Sequence, residues 1–397
     1  MGAGAIGMRW LAAMAMAAAL WGAEAPIVKR GFDHFYNLEF DEAISTFEKA
    51  IEAQPAVPDL YNHLAQTILY REMLKAGALE SELVSGGNAF LRREKMNPTA
   101  EDQKRFDAAI AKAMQLAQGT LQSKPDDKDA LYSLGISYSL RANYNFLVRK
   151  AWMDSLRDAT QGRKLHNRIT DLDSAYVDAR LVQGVHDYIV GSLSWHYKLL
   201  GFLVGFRGNR EEGIRIVEQV AAKGDRTRDD AAILLAVVYR RERKFGAAIA
   251  MLQRLIPRYP RNYLLWFELA QMHSDNGDGA AALQAIAEVE KLKKAGTPGF
   301  ARLPVEKILY YRATVEFWYR DYPAAITDFR KVTAKAGELD PNTGVTAWMR
   351  LGQAYDLRGE RELALRCYRS AMDYAPESAP AKECQSYLRK PFRRTDE

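Results

Sequence analysis

Residues 348–376 read WMRLGQAYDLRGERELALRCYRSAMDYAP, and the spacing within this stretch decides the fold. Small residues at Gly352, Ala364 and Ala371 allow two antiparallel helices to approach closely, and aromatic residues on neighbouring turns fill the spaces between them. Pro376 ends the second helix because proline has no amide hydrogen to donate. The stretch therefore predicts one helical hairpin whose two helices pack tightly.

The same spacing recurs along the chain at a period of about 34 residues. Its further occurrences are at 31–55, 61–65, 131–138, 232–260, 266–289 and 313–329. The order of Trp, Leu-Gly and Tyr in the first helix, followed by Ala, an aromatic residue, Ala and Pro, resembles the tetratricopeptide repeat family. The resemblance implies an all-α fold, a right-handed α-solenoid of about six to eight stacked helical hairpins.

Departures from the repeat spacing divide the chain into regions. We predict a signal peptide over 1–25, an N-terminal repeat region over 26–127 with an insertion at 72–106, an irregular helical middle over 128–228, a C-terminal repeat array over 229–378, and a capping helix and tail over 379–397. A polar terminal helix is expected because a solenoid must cover its last apolar face. Within the middle, the short stretch 207–213 resembles the inclusion-body clearance family of tetratricopeptide proteins.

The first 25 residues have the pattern of an export signal. Arg9 is the only early positive charge, the run 10–21 is apolar, and Ala23-Glu24-Ala25 offers a small-residue cleavage site. The apolar run is shorter than the roughly 20 residues that a membrane-spanning helix needs. These features predict an exported protein, periplasmic or associated with the cell envelope. An uncleaved N-terminal anchor and a mistaken start codon are the alternatives.

The formal net charge is +6, and the stretch 207–261 accounts for the whole excess because it holds 13 basic and 7 acidic residues. It follows an apolar run at 193–206 that contains Trp195 and Lys198. A basic stretch beside such a run favours contact with anionic lipid, so a peripheral membrane protein is the alternative function. The other interpretation is a solvated helical surface, beside an apolar run that packs into the irregular middle.

No catalytic constellation can be assembled from the sequence. The six histidines stand in no metal-ligand spacing, and no nucleophile elbow, phosphate-binding loop or dinucleotide-binding motif is present. Cys367 and Cys384 are the two cysteines, so they either form one disulfide between adjacent helices or stay as buried thiols. We therefore predict a non-catalytic protein with no cofactor and no metal.

The resemblance implies a binding role, because the first helices of stacked hairpins line a concave groove. The predicted groove residues are Asn62, Gln66, Tyr132, Phe267, Gln271, Tyr310, Met349 and Gln353. Their amides would capture backbone groups, and their aromatic rings would anchor an extended segment or an amphipathic helix. The predicted partner is therefore a protein or peptide. The alternative is that some of these residues contact the next repeat or an inserted helix.

Two other ligand classes are disfavoured. Family members that grip a C-terminal carboxylate place lysine and asparagine at these groove positions, and here the lysines are absent. No nucleic-acid partner is expected, because no recognised nucleic-acid-binding motif accompanies the basic stretch.

Overall fold

The computed structural model describes residues 26–80, 95–192 and 208–394, so the predicted signal peptide and the apolar run 193–206 lie outside the described residues. Within those ranges the chain forms helices and no β-strand. The α-helices are α1 (Pro26–Tyr36), α2 (Phe40–Ala53), α3 (Pro58–Lys75), α4 (Ala100–Ser123), α5 (Lys128–Tyr144), α6 (Trp152–Leu172), α7 (Arg180–Gly191), α8 (Arg210–Lys223), α9 (Arg228–Arg241), α10 (Phe245–Leu255), α11 (Tyr263–Asp275), α12 (Gly279–Lys294), α13 (Val305–Trp318), α14 (Tyr322–Ala334), α15 (Pro341–Leu357), α16 (Arg361–Tyr374) and α17 (Ala379–Arg389).

The helices of the described ranges pair consecutively into eight hairpins, from α1/α2 to α15/α16. The second helix of each hairpin also packs on the first helix of the next, so the hairpins stack side by side in chain order. This confirms the predicted all-α solenoid. Helix α17 packs on α16 and α15, which is the position of the predicted capping helix.

Glycine allows close approach of the paired helices in several hairpins, among them α15/α16 and α7/α8. A Cβ atom added to Gly352 of α15 would lie 2.6 Å from Cε1 of Tyr368 on α16. In α7/α8, a Cβ atom added to Gly213 would lie 2.7 Å from the carbonyl oxygen of Gly184, so the two backbones meet directly. The α7/α8 hairpin therefore packs by the same small-residue principle, although its sequence matches the repeat spacing poorly.

Polar side chains fix the start of two first helices. Asn262 accepts a hydrogen bond from the Leu264 amide at 3.0 Å and caps α11. Asp340 accepts one from the Thr343 amide at 2.9 Å and caps α15. Such caps satisfy amide groups that have no partner inside the helix. Both capping residues also contact another hairpin, so they fix tertiary as well as local structure.

The two regions that depart from the repeat spacing also form helices. Helix α3 runs to Lys75 and α4 begins at Ala100, so both enter the predicted insertion 72–106. The predicted irregular middle 128–228 consists mainly of the hairpins α5/α6 and α7/α8. Its irregularity lies in a π-helical turn, Asn145–Arg149, and in the 21-residue length of α6.

The winding of the solenoid brings the first hairpin against the fifth and sixth. Tyr36 Oη donates to Asp230 Oδ1 of α9 at 3.0 Å. Asn262 Nδ2 donates to the Tyr36 carbonyl at 2.8 Å, and the rings of Tyr36 and Tyr259 lie 4.8 Å apart. The solenoid is therefore held by contacts across its winding as well as by contacts between neighbouring hairpins.

Candidate binding site on the concave face

The first helices α11, α13 and α15 lie side by side and form one surface, called here the concave face. Phe267 of α11 stacks on Tyr311 of α13, with ring centroids 3.9 Å apart and planes 9° apart. The ring of Tyr310 lies 6.3 Å from that of Phe329 on α14. Of two adjacent tyrosines, Tyr311 therefore joins neighbouring first helices, whereas Tyr310 packs inside its own hairpin.

The other predicted groove residues of this array are also enclosed. Gln271, Met349 and Gln353 are all buried. Gln353 Oε1 accepts a hydrogen bond from Arg350 Nη1 at 2.9 Å. The side-chain amide of Gln271 has no hydrogen-bond partner among the described residues. Gln271 therefore keeps unused donors and an acceptor one helical turn after Phe267.

The predicted groove residues of the N-terminal half lie at hairpin contacts. Asn62 joins α3 to α5, because its amide donates to the Ser133 carbonyl at 2.9 Å and accepts from Ser137 Oγ at 2.7 Å. Tyr132 lies edge-on to His166 of α6, with ring centroids 5.2 Å apart. Gln66 is half-buried, and it is the one groove residue of the eight that is not fully buried.

These positions agree with the alternative that groove residues contact neighbouring repeats. As the chain is folded, seven of the eight are covered by the protein itself and do not form an open lining. Repeat spacing indicates the side of a helix on which a residue lies, but it does not indicate what covers that side. Binding of a partner by these eight residues stays a prediction.

A turn of the chain itself occupies part of the concave face. Directly after α3, residues 76–80 form a turn that brings Glu80 beside Lys307 of α13. Glu80 Oε1 and Lys307 Nζ are 2.5 Å apart, and Tyr311 Oη donates a hydrogen bond to Glu80. The hydroxyl of Tyr311 therefore connects the aromatic stack of Phe267 and Tyr311 to the buried ion pair of Glu80 and Lys307.

Lys307 is the centre of this cluster and is 5% exposed. Besides Glu80, its ammonium donates to Asp340 Oδ2 at 2.6 Å and to Thr343 Oγ1 at 2.5 Å. Burial by itself would lower the pKa of Lys307, but the carboxylates of Glu80 and Asp340 outweigh burial and raise it. Burial raises the pKa of Glu80 to about 7, although the Lys307 ammonium opposes that rise. Lys307 is therefore charged although it is buried, because the two carboxylates stabilise its ammonium in place of water.

The repeat spacing gives no signal for Glu80 or Lys307. Glu80 lies in the predicted insertion, where the repeat spacing assigns no role. Lys307 precedes Tyr310 by about one turn, at a position that the spacing does not assign to the groove. A lysine near the start of a first helix is a weak signal by itself, and its partner could not be identified without knowing how the solenoid winds.

Half of the described basic stretch is paired within the chain, because six of its twelve described basic residues form ion pairs. The carboxylates that pair with them belong to several hairpins. The positive charge of this stretch is therefore offset in part. The pairs are Arg210–Glu242, Arg215–Glu212, Arg226–Asp59, Arg226–Asp129, Arg240–Asp275, Arg258–Asp229, Arg261–Asp33 and Arg261–Glu39.

Two further features bear on function. None of the helices within the described ranges is both long and apolar enough to cross a membrane. Cys367 and Cys384 are free and buried, and burial raises the pKa of both thiols to about 12. Of the two alternatives left by the sequence, the structure has buried thiols. Within 26–80, 95–192 and 208–394, no cluster of three His, Cys, Asp or Glu residues is placed to hold a metal ion.

The regions that match a known protein family are regions in which the repeat spacing is well formed. The tetratricopeptide repeat family matches the chain at residues 233–296 and at residues 345–378. The first match spans most of α9 to α12, and the second spans the hairpin α15/α16, where the spacing of small and aromatic residues is complete. The chain contains tetratricopeptide repeats in both of these regions. Repeats of this family make protein–protein interaction scaffolds, and this chain has that architecture.

Solved structures with a similar fold have low sequence identity to this chain. Yeast Tom70 is 14% identical, with a TM-score of 0.40 over 91% of this chain and 94% of Tom70. Human IFIT1, solved as a dimer with m7Gppp-AAAA, is 13% identical, with a TM-score of 0.44 over 92% and 86%. A tetratricopeptide repeat protein from Parabacteroides merdae is 13% identical, with a TM-score of 0.32 over 78% and 91%. No curated protein matches the chain.

Proposed function

We propose that this protein is a non-catalytic scaffold that holds a peptide segment or a partner protein against the concave face of α11, α13 and α15, in the cell envelope. The observation that carries the proposal is the turn 76–80, which already lies against this face. A surface that binds a turn of its own chain through an aromatic stack and a buried charge has the means to bind a similar segment of another protein.

Gln271 supports the same face as the binding surface. Its amide is buried and has no hydrogen-bond partner among the described residues. A buried amide without a partner is costly, so the position favours a ligand that supplies backbone hydrogen bonds. Phe267, one turn earlier on α11, is buried against Tyr311 and holds this part of the face rigid.

The envelope setting is supported by the pattern of residues 1–25, which combines Arg9, a short apolar run and a small-residue cleavage site. Fractionation of cells that make the full chain with a C-terminal tag tests it. We expect the tagged protein in the osmotic-shock or envelope fraction, shortened by about 25 residues as such signals are. Recovery of full-length protein with a cytoplasmic marker enzyme would contradict the envelope setting.

Photo-crosslinking tests the binding surface. Tyr263, half-buried at the start of α11, lies 6.0 Å from Phe267 between ring centroids, so a benzoylphenylalanine there is close to the site. The matched control is the same replacement at Leu363 on α16, which is exposed on a second helix. We expect one reproducible protein adduct from position 263 and none from position 363. No adduct at position 263, or equal adducts at both positions, would refute the proposed surface.

A further inference from the structure

We infer that Lys307 forms a carboxylate-binding subsite of the concave face, which Glu80 fills in the resting chain, and that the partner inserts an acidic side chain preceded by small apolar residues. This inference rests on the proposed function, since it specifies the segment that the concave face accepts. The subsite recognises a side-chain carboxylate within a turn, and it lies apart from the predicted groove positions.

The charges around Lys307 require a carboxylate at this place. The ammonium has three hydrogens, and its three acceptors are Glu80, Asp340 and Thr343. Asp340 also caps α15, so its position is fixed whether or not the turn is present. Without Glu80, one donor of an almost fully buried ammonium would lose its partner, and an incoming carboxylate would restore it.

The shape of the turn defines the residues that precede the acidic group. The Ala78 amide donates to the Met73 carbonyl at 2.7 Å, and Gly77 has a φ of 68°, so the chain reverses directly at the end of α3. A Cβ atom on Gly77 would collide with the carboxylate of Asp340. Only a glycine is accommodated at that position, and the recognised pattern is Gly, a small residue, an aliphatic residue and then Glu.

Tyr311 gives the subsite its second recognition element. Its hydroxyl donates to Glu80, while its ring stacks on Phe267. The ring stack holds the hydroxyl in place and does not depend on Glu80. The Tyr311→Phe substitution therefore removes one hydrogen bond to the turn and leaves the apolar packing of the concave face intact.

A peptide titration tests the inference. The probe is fluorescein-labelled LKAGALE, the sequence of residues 74–80, with a C-terminal amide so that the glutamate side chain is the only carboxylate of the peptide. The carboxylate of the label is common to this probe and its control. The control probe is LKAGALQ, also amidated. A segment of the same chain competes at high effective concentration, so the wild-type protein should bind the free probe weakly. The Glu80→Gln variant should bind LKAGALE at least tenfold more tightly than the wild type does.

The difference in affinity between the two probes decides whether the inference holds. On Glu80→Gln, LKAGALE should bind at least tenfold more tightly than LKAGALQ, and adding Lys307→Met should abolish that preference. If Glu80→Gln does not fold by circular dichroism, Glu80→Ala replaces it, and the same preference for LKAGALE over LKAGALQ is expected. Equal binding of the two probes, or no binding by a folded Glu80 variant, overturns the inference.

The two proposals fail in different ways. If position 263 crosslinks a partner whose binding is unaffected by Lys307→Met, the scaffold role stands and the carboxylate subsite is refuted. If the probes discriminate but position 263 captures nothing in cells, the subsite stands and the scaffold role at this face is refuted.

Discussion

Arg261 Nε lies 2.7 Å from Glu39 Oε1, and this ion pair joins the turn between α1 and α2 to the loop before α11. The Arg261 guanidinium also lies 2.7 Å from Asp33 Oδ2, and the Arg261 backbone amide donates to Asn37 Oδ1 at 2.9 Å. Burial opposes ionisation of Glu39, but hydrogen bonds from Arg261 and His34 lower its pKa. The first hairpin is therefore fixed to the sixth by a charged cluster, and the solenoid is closed across its winding.

A double-mutant cycle on Arg261→Gln and Glu39→Gln should measure a coupling of about 1–2 kcal/mol in the free energy of unfolding, since both groups are about three-quarters buried. Urea denaturation of the four proteins gives the value. The pair Lys382–Glu377, whose side chains are 56% and 90% exposed, is the control and should show no measurable coupling. A coupling no larger than that control would mean that the ion pair does not hold the closure.

The hairpins could be predicted from the sequence because their packing is local. Gly352 and Tyr368 meet across one hairpin, and their spacing along the chain reports that contact directly. The contacts of Arg261 with Glu39, and of Lys307 with Glu80, join residues more than half the chain apart. They depend on how steeply the stacked hairpins wind, and repeat spacing carries no information about that curvature.

The candidate site was predicted less well than the fold for the same reason. The spacing placed Phe267 in the predicted groove, but it did not identify Tyr311 as its stacking partner. It could not show that a turn of the predicted insertion covers part of this face. Residues chosen for an open groove are therefore mostly buried, whereas the charged residue that offers chemical specificity, Lys307, lies at a position the spacing does not single out.

Replacement of Gly352 by alanine should destabilise the protein, because the new methyl group would lie 2.6 Å from the buried ring of Tyr368. Overpacking of this kind costs about 1–3 kcal/mol. The control is Gly119→Ala in α4, where a Cβ atom meets nothing within 4 Å, and it should instead stabilise by about 0.5–1 kcal/mol. Thermal denaturation of both variants measures the difference, and equal effects would contradict the close approach of α15 and α16.

The thiols of Cys367 and Cys384 should resist alkylation in the native protein. Both are buried, and burial raises the pKa of each to about 12, so the reactive thiolate is scarce at pH 8. Intact-mass spectrometry after treatment with iodoacetamide should show no adduct in buffer and two adducts in denaturant without reductant. Absence of adducts in denaturant until reductant is added would show a disulfide instead.

Acid should destabilise the protein through His166. Burial lowers the pKa of His166 to about 4. Between pH 4 and pH 6.5 the unfolded chain therefore binds a proton at this residue that the native chain excludes. Stability contributed by His166 is complete above pH 6.5 and is lost as the pH falls towards 4, by about 3 kcal/mol in all.

Urea denaturation at pH 7, 6, 5 and 4 gives the free energy of unfolding as a function of pH. The slope of that profile measures the loss, because a substitution that changes stability equally at every pH leaves the slope unchanged. The His166→Gln variant should lose about 3 kcal/mol less than the wild type over this range. The His273→Gln variant, changed at a half-buried position on α11, controls for removal of one histidine. Parallel pH profiles for wild type and His166→Gln would mean that His166 is protonated in the native protein and that the α5/α6 hairpin does not enclose it.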